Sequence, residues 1–348
     1  MTAHQLANTS EYKTSFIFVA GNSRSGTTMM GRILGNQPEV FTFHELHFFE
    51  QLWTPSDKNR YLHKAEAEQL AARLLCIQRD GYLTQGNLDR FLEESKELVA
   101  EIHEKTLTSA GVFAAFLHYE VVRHSKRIPC DQTPRNVFYI GEILELYPEA
   151  RIINMIRDPR DVLLSQKGKW KRRSLGAMNI PQKEVFRSWI NYHPIIISKL
   201  WNASIRAGER FAEDDRIHTL HFEHLLKNPE KAVQEVCGFL NLPFDKSLLE
   251  IPQIGSSYTA DRPDQKGINR ERAGSWQQGE LNLEEIFWCQ KITKVLMEQN
   301  GYKSVSVEPT FLGLVYSLAS FFVKLTLAIL FNLKRMRNIT ETIKRRLV

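Results

Sequence analysis

The fold of this chain is decided by the stretch SFIFVAGNSRSGTTMMGRILGN, residues 15–36. Its first seven residues form a short apolar run that stops at Gly21, which is typical of a buried strand in a parallel sheet. Helical spacing of Met30 and Ile33 predicts a helix after the loop. Gly21 and Gly26 have the G-x-x-x-x-G spacing of a phosphate-binding loop, between a strand and a helix as such a loop requires. The stretch therefore predicts an anion site at a helix N-terminus, where backbone N–H groups and the helix dipole favour negative charge.

The loop lacks the lysine that P-loop NTPases use to contact the β- and γ-phosphates. Thr27 follows Gly26 at that point, and the cation of the loop is Arg24. The next candidate strand, RIINMI, ends in Arg157 rather than in the aspartate that would hold Mg²⁺. The residues therefore favour a nucleotide with phosphates at two places, held by arginines and backbone amides without a catalytic metal. A plain tight turn between a strand and a helix is the alternative for the loop alone.

Strands and helices alternate along the rest of the chain. Further strands are predicted at 151–156 and 216–222, and further helices within 65–109, from Asp158, over 182–208, over 228–240 and over 281–302. Asp158 is suited to cap its helix and Pro159 to be the first helical residue. The alternation predicts a three-layer α/β/α fold with a mostly parallel sheet. We divide the chain into a polar tail (1–13), one α/β domain (14–304) and a hydrophobic and basic tail (305–348).

The composition is that of a folded α/β domain with a mild positive excess. The chain has 348 residues, a formal charge of +6 and 25% charged residues. This excess suits an anionic ligand or a membrane surface, and no base-reading module singles out nucleic acid. The four cysteines are far apart in sequence, which predicts core thiols rather than a zinc site or a disulfide framework. They are Cys76, Cys130, Cys237 and Cys289.

Five segments, in this order, resemble the sulfotransferases that use 3′-phosphoadenosine 5′-phosphosulfate (PAPS). They are SRSGTT (23–28), DQTPRN (131–136), IRDPRDVLLS (156–165), HFEHLLKNPEKAVQEVCGFLNLPF (221–244) and RERAGSW (270–276). The resemblance covers about residues 14–304 and looks closer to the bacterial-type and tyrosylprotein branches than to the cytosolic phenol and steroid branch. It implies a P-loop-like nucleotide-binding fold and transfer of a sulfuryl group from PAPS to an acceptor hydroxyl.

The resemblance also implies which residues hold the donor. The 5′-phosphosulfate would be held by Arg24, Ser25, Gly26, Thr27 and Thr28. The 3′-phosphate would be held by Arg157 and Ser165, with Arg270, Arg272 and Ser275 as candidate donors from a late loop. Trp276 would pack that loop or the adenine. The alternative for Arg157 is an ion pair at the helix start with Asp158 or Asp161, and Arg160 and Asp161 are predicted to be structural, as solvated first-turn residues.

Sulfuryl transfer to an alcohol needs a base for the hydroxyl proton. The segment NQPEVFTFHELHFFE (36–50) resembles the place where the tyrosylprotein branch carries its catalytic glutamate, and the match places Glu45 there. His44 and His47 flank it and compete for the role, since histidine is the base in the cytosolic branch. A carboxylate that caps a following helix is the structural alternative for Glu45. Arg24 and the loop amides would stabilise the transition state.

Gln132 is a departure from the family pattern. Related sequences often have a lysine there, which is thought to steady the leaving group. Glutamine donates a hydrogen bond but carries no charge, so either Arg24 or Arg135 supplies the charge or the leaving-group role is weaker here. The basic run KGKWKRRS (167–174) is compatible with a solvated face or with an access path for an anionic acceptor.

The tail contains an apolar segment, FLGLVYSLASFFVKLTLAILFNL (311–333), followed by KRMRN. It is long enough to cross a bilayer. Gly313, Ser317, Ser320 and Lys324 recur at helical spacing, which favours a helix lying in the membrane interface or packing on the domain over a simple span. Because the donor nucleotide is expected inside the cell and the N-terminal stretch has no apolar signal region, we expect a cytoplasmic protein with membrane association through this segment.

Three functions remain open at this level. The first is a PAPS-dependent sulfotransferase acting on a small-molecule, lipid or glycan hydroxyl, and the apolar tail makes a lipid or lipid-linked glycan more plausible than a soluble phenol. The second is an ATP-dependent kinase of the same fold, which would need Mg²⁺. The third is a membrane-tethered nucleotide-binding protein without catalysis. Residues 46–130 and 166–185 are expected to shape the acceptor pocket.

Overall fold

A computed structural model of the chain describes residues 16–82, 86–332, 341 and 345. The predicted polar tail, 1–13, lies outside the described residues. The described strands of the main sheet are β1 (Ile17–Gly21), β2 (Val40–Thr42), β3 (Ile128–Asp131), β4 (Arg151–Ile156) and β5 (Ile217–His221). They are ordered β2-β3-β1-β4-β5, and every neighbouring pair is parallel. A second, antiparallel pair consists of β6 (Pro252–Gln253) and β7 (Arg262–Lys266).

The helices follow the alternation that the sequence predicts. They are α1 (Thr27–Gly35), α2 (Lys64–Asp80), α3 (Leu92–Ala100), α4 (Ser109–Arg123), α5 (Ile140–Leu146), α6 (Pro159–Lys167), α7 (Gln182–Ile190), α8 (Pro194–Glu209), α9 (Phe222–Lys227), α10 (Pro229–Leu240), α11 (Leu283–Gln299) and α12 (Phe311–Asn332). Asp158 caps α6 by accepting from the backbone N–H of Arg160, and Pro159 is its first residue, as predicted.

Successive residues of β1 belong to two different hydrophobic clusters. Phe18 packs in the cluster that contains Phe113 of α4. Val19 packs in the cluster that contains Ile33 of α1 and Val233 of α10. Because neighbouring strand residues point to opposite faces of a sheet, helices cover both faces. This confirms the three-layer α/β/α prediction. The four cysteines are all buried and free, which confirms them as core thiols.

The central strand fixes where a ligand can bind. All five residues of β1 are buried, and its parallel neighbours are β3 and β4. The carboxyl ends of parallel strands lie at one edge of the sheet, where open α/β sheets bind their ligands. The loops after Gly21, Asp131 and Ile156 therefore meet there.

The single helix predicted over 182–208 is wrong. The chain forms α7 and α8 instead, separated by residues 191–193. Pro194 lacks a backbone N–H and disfavours a helical conformation of the residue before it, so it begins α8. His193 is extended and caps α8 by accepting from the N–H of Ile195.

Helix α12 coincides with the apolar tail segment. By length and composition it could cross a membrane. Its mean hydropathy is 2.0 over 18 consecutive residues, of which only 6% are buried. Its small and polar stripe packs on the domain: Ser317 is buried, and the Lys324 amine donates to the Trp189 carbonyl at 3.0 Å.

Candidate donor and transfer site

The loop between β1 and α1 forms an uncapped helix N-terminus. Gly26 is the N-cap residue with a left-handed φ of 97°, and no side chain caps the helix. The backbone N–H groups of Thr27, Thr28 and Met29 lie in the first turn, where a helix offers them no internal partner. The Ser25 hydroxyl is fully buried without a hydrogen-bond partner among the described residues. This set of donors suits an anion at the start of α1.

Phe222, the first residue of α9, packs between the two halves of the site. A Cβ on Gly26 would collide with the Phe222 ring, so the position requires glycine for space as well as for its φ. The Arg157 guanidinium lies over the same ring, 4.6 Å from its centroid. One aromatic side chain therefore contacts both the loop and the arginine that follows β4.

The Arg24 side chain joins three segments. Its Nε donates to the Ser165 hydroxyl at 2.9 Å. One terminal nitrogen donates to the Gly255 carbonyl and to the Ser257 hydroxyl, both at 3.0 Å. Arg24 itself has a left-handed φ of 76°, which directs this side chain across the loop. The family resemblance assigns Arg24 and Ser165 to opposite ends of the donor, and the structure brings the two side chains into contact.

Arg157 has few partners for a buried cation. It donates to the backbone carbonyls of Arg24 at 3.1 Å and Arg272 at 2.9 Å. Its Nε is buried without a partner among the described residues. The nearest contact to Asp161 is 3.9 Å, and Asp158 is paired with Arg160 instead. The ion pair at the helix start is therefore at most a weak competitor for the Arg157 guanidinium.

Burial and neighbouring cations lower the pKa of two arginines in this region. Burial, followed by the charges of Arg157 and Arg172, lowers the pKa of Arg24 to about 10. Burial and the charge of Arg157 also lower the pKa of Arg272, whose Nε is buried without a partner in the described part of the chain. Desolvated like charges repel, so this arrangement is unfavourable unless an anion lies between them. We call Arg24, Arg157 and Arg272 the arginine cluster.

The late loop is fixed by Asp161. The sequence predicts that Arg160 and Asp161 are solvated, but both residues are buried, at 4% and 1% exposure. The Asp161 carboxylate accepts from the N–H groups of Gly274 at 2.8 Å and Trp276 at 2.9 Å. The Arg160 guanidinium lies 3.9 Å from the centre of the Trp276 ring. These contacts favour the packing role of Trp276.

The structure does not bring Arg270 and Ser275, two predicted hydrogen-bond donors of the late loop, to the arginine cluster. Arg270 is exposed. The Ser275 hydroxyl donates to the Glu271 carbonyl at 3.1 Å on the exterior of the loop. In their place the structure contributes Ser257, which is 1% exposed and bonded to Arg24. Nothing in the sequence around Ser257 indicates this position.

A chain of charged residues holds Glu45, which is near enough to Arg24 for its charge to act on the Arg24 pKa. We call the space between Glu45 and the arginine cluster the cleft. His47, with a left-handed φ of 51°, contacts Glu45 through Nε2 and Glu50 through Nδ1, each at 3.3 Å. Glu50 is in turn paired with Arg135. The Glu45 side chain is 42% exposed, whereas the His47 side chain is 11% exposed. Of the two carboxylates that contact His47, only that of Glu45 is substantially exposed.

The network sets the protonation states. Burial acts to lower the pKa of His47, but its hydrogen bonds to Glu45 and Glu50 outweigh burial and raise it to about 9. Burial acts to raise the pKa of Glu45, but the hydrogen bond and charge of His47 lower it below its usual range. At neutral pH His47 is therefore a protonated donor to two carboxylates, and Glu45 is an ionised proton acceptor. The His44 side chain is exposed, outside this network.

Asp131 and Thr133 position the Glu45 turn. Asp131 accepts from the Thr133 hydroxyl at 2.6 Å and from Asn136 at 2.9 Å. The same Thr133 oxygen accepts from the backbone N–H of Leu46 at 2.9 Å. Both residues are buried, so this part of DQTPRN is a support for the turn that carries Glu45.

Lys169 is a cation in the cleft that the sequence places in an unremarkable basic run. Although solvent reaches it, desolvation and then the charge of Arg24 lower its pKa to about 8, against an opposing effect of Glu45. It therefore lies close to both sides of the cleft. Gln132 is buried, and its side-chain oxygen has no partner among the described residues. Arg172 of the same run is structural, since it forms a bidentate pair with Asp261 at 2.9 Å.

Comparisons with known proteins identify the family of the chain. A model of the sulfotransferase family matches residues 16–246. An uncharacterised protein of Aquifex aeolicus is 25% identical over 280 residues, which are 78% of this chain and 31% of that protein. Protein-tyrosine sulfotransferase 1 of Danio rerio is 22% identical over 240 residues, 68% of this chain and 56% of that protein. The chain thus spans from about a third to just over half of these curated relatives.

The fold is also found among solved structures. The sulfotransferase domain from the curacin biosynthetic pathway aligns over 84% of this chain and 99% of its own, with a TM-score of 0.50 and 19% identity. The family model covers well over half of the chain, so the chain belongs to the sulfotransferase family.

Proposed function

We propose that this member of the sulfotransferase family transfers a sulfuryl group from PAPS to an acceptor hydroxyl, with Glu45 as the base. The observation that carries the proposal is the arginine cluster, in which the Nε atoms of Arg157 and Arg272 are buried without partners among the described residues, opposite a carboxylate that His47 keeps ionised. A doubly phosphorylated donor supplies the missing counter-charge, and an acceptor hydroxyl supplies the proton.

The donor set fits PAPS at both ends. The amides of Thr27 and Thr28 and the free Ser25 hydroxyl suit the 5′-phosphosulfate. Arg157, with its unpartnered Nε, and Ser165 suit the 3′-phosphate, together with Arg272. Phosphate bound by arginine forms charge-assisted and often bidentate hydrogen bonds, which are about twice as strong as neutral ones.

Arg24 acts between the two ends. Its Nε and one terminal nitrogen are bonded to Ser165, Gly255 and Ser257, which orients the guanidinium. The other terminal nitrogen makes no hydrogen bond within the described residues and is available to the donor. A fixed cation of this kind stabilises charge that develops in the transition state without reorganising.

The proposed transfer forms one bond to sulfur and breaks another. The acceptor oxygen attacks sulfur as the bond from sulfur to the bridging phosphate oxygen breaks, and the hydroxyl proton passes to the Glu45 carboxylate. The products are the sulfate ester and 3′,5′-adenosine bisphosphate. As in phosphoryl transfer, most of the acceleration comes from positioning and electrostatics.

Lys169 supplies the charge that Gln132 lacks. Arg135, the alternative, is engaged by the buried Glu50 carboxylate. Lys169 is near enough to Arg24 and Glu45 for their charges to act on its pKa. A protonated Lys169 therefore lies where it lowers the energy of an anionic transition state, and it also keeps the Glu45 pKa low.

The test is incubation of the full chain with radiosulfur-labelled PAPS and separate lipid, glycan and peptide acceptor fractions, the last because named relatives are protein-tyrosine sulfotransferases. We expect labelled product that still forms in EDTA, and tight binding of adenosine bisphosphate by calorimetry. Transfer that requires Mg²⁺ and ATP would favour the kinase alternative. Tight binding without turnover on any acceptor would favour a noncatalytic nucleotide-binding protein.

We further propose that the reaction occurs in the cytoplasm.

A further inference from the structure

One face of helix α12 packs on the domain, and the opposite face is exposed. On the inside, His193 donates to the Ser317 carbonyl at 3.1 Å, and Lys324 lies 3.4 Å from the centre of the Trp189 ring. The outer residues are large and apolar, and each is between 37% and 79% exposed. They are Phe311, Leu312, Val315, Tyr316, Leu318, Phe322, Val323, Ile329, Leu330 and Phe331. A contiguous apolar surface of this size marks an interaction site.

The apolar surface continues from α12 onto α7. Phe186 and Trp189 of α7 are each about half exposed. The Phe186 ring lies 5.5 Å from the Phe331 ring and 6.1 Å from the Trp189 ring, between centroids. We call the outer residues of α12 together with Phe186 and Trp189 the apolar platform.

The platform reaches the catalytic cleft through α7. The Arg187 side chain donates to the Phe331 carbonyl at 3.2 Å and is paired with Glu184 on the same helix. The Glu184 charge acts on Lys169, which in turn acts on Glu45. Phe186 and Trp189 therefore lie on the exposed side of α7, whereas Glu184 and Arg187 are buried on its opposite side. The Glu184 charge places that buried side near Lys169.

The chemistry of the platform fits a lipid bilayer. Lys324 is the only charged residue within α12, and it is folded onto Trp189 rather than directed outward. Trp189 and Tyr316 are of the type that concentrates at membrane interfaces. The sequence continues after α12 with Lys334, Arg335 and Arg337, which complement anionic headgroups.

The geometry points to a membrane lipid as the acceptor. We propose that the apolar platform lies in the bilayer interface, with α12 parallel to the surface over its ~33 Å length, and that a lipid headgroup hydroxyl reaches Glu45 past α7. The substrate part rests on the proposed sulfuryl transfer. A spanning α12 would have to leave its contacts with His193 and Trp189, whereas an interfacial helix keeps them.

The surface is tested with two matched variants of the full chain. Val323→Glu puts a charge on the platform, and Val122→Glu puts the same charge on α4, at similar exposures of 61% and 58%. In flotation with vesicles of phosphatidylcholine and anionic phosphatidylglycerol, we expect Val323→Glu to bind at least about tenfold more weakly than wild type. Val122→Glu should bind like wild type. Equal binding of all three proteins, or a dimer in sedimentation that only Val323→Glu dissociates, would overturn the inference.

The acceptor is tested with labelled PAPS and a total lipid extract in the same vesicles. We expect label in the organic phase, about tenfold less with Val323→Glu, and an unchanged affinity of that variant for adenosine bisphosphate. Label only in water-soluble glycans or peptides would overturn the lipid acceptor and leave sulfuryl transfer standing. Failure to bind adenosine bisphosphate, with no label in any fraction, would instead overturn the proposed function, and the vesicle comparison would still decide the surface.

Discussion

The two sides of the cleft treat charge in opposite ways. On the donor side, Arg157 and Arg272 keep buried nitrogens without partners among the described residues, and their charges repel. On the base side, each charge has a counter-charge, from Glu45 through His47 and Glu50 to Arg135. Both sides are rich in charge, but only the second is satisfied by the protein itself.

This difference shows how a region that binds a charged ligand can be distinguished from a region that supports the local structure. A satisfied network stabilises one geometry and one set of protonation states. An unsatisfied cluster of like charges costs stability, and a ligand that supplies the opposite charge recovers it. Substitutions on the donor side should therefore change affinity with little loss of stability, whereas those on the base side should change turnover.

The largest effect is expected for Glu45→Gln. Glutamine keeps the shape but cannot accept the hydroxyl proton, so kcat should fall by about a thousandfold. The dissociation constant for adenosine bisphosphate, measured by calorimetry, should stay the same. Glu39→Gln, an exposed glutamate paired with Arg127, is the control. A wild-type kcat for Glu45→Gln would show that Glu45 is not the base. The contrast between the two sides of the cleft would then say nothing about turnover.

Arg272→Met should weaken adenosine bisphosphate binding by about ten- to a hundredfold, because a charge-assisted hydrogen bond is lost. The melting temperature without ligand should be unchanged or higher, because a cation that Arg157 repels is removed. Arg262→Met, at an exposed position of β7, is the control for the melting and binding curves. A lower melting temperature with normal binding would show that Arg272 is structural and would break the comparison.

Thr133→Val should lower kcat about tenfold, since Leu46 loses the acceptor that fixes the Glu45 turn. Affinity for adenosine bisphosphate should not change, and Thr133→Ser should restore kcat because it keeps the hydroxyl. Thr293→Val, which removes an equally buried hydroxyl from α11, controls for general loss of stability. Equal kcat values for both valine variants would deny Thr133 a positioning role.

The smallest effect is expected in the pH profile. Lys169 is charged below its pKa of about 8 and neutral above it, so kcat/KM should fall a few-fold as pH rises through 8. In Lys169→Gln the rate should be lower at pH 7, and this decline should vanish from the profile. Lys171→Gln changes an exposed lysine of the same segment and should keep the wild-type profile. An unchanged decline in Lys169→Gln would assign it to another group, such as His47.

The parts predicted from the sequence are those built from neighbouring residues. The strand, loop and helix around Gly26 follow from glycine spacing and periodicity, and Asp158 follows from cap chemistry. Glu45 is placed only by the family resemblance, and the sequence leaves its competition with His47 open. The structure separates the two residues because His47 contacts two carboxylates, one of them three residues further on.

The rest depends on contacts between distant segments. Ser257 lies 233 residues from Arg24 in an irregular loop, where no periodicity indicates its position. Lys169 has the same side chain as its neighbour Lys171, and only the fold places it beside Arg24 and Glu45. Pro194 is itself a local indication that a helix begins there. The helical periodicity on both sides of it favours one continuous helix, which is why the break is not predicted.

Phe222 limits how this site can diverge. Its ring blocks any side chain at Gly26 and supports the Arg157 guanidinium from the other side. A change in its size would therefore alter both halves of the donor site at the same time. Under the proposed function, a lineage that drifts toward a bulkier or a smaller nucleotide must adjust the loop and the arginine together, whereas the Glu45 side can change its acceptor independently.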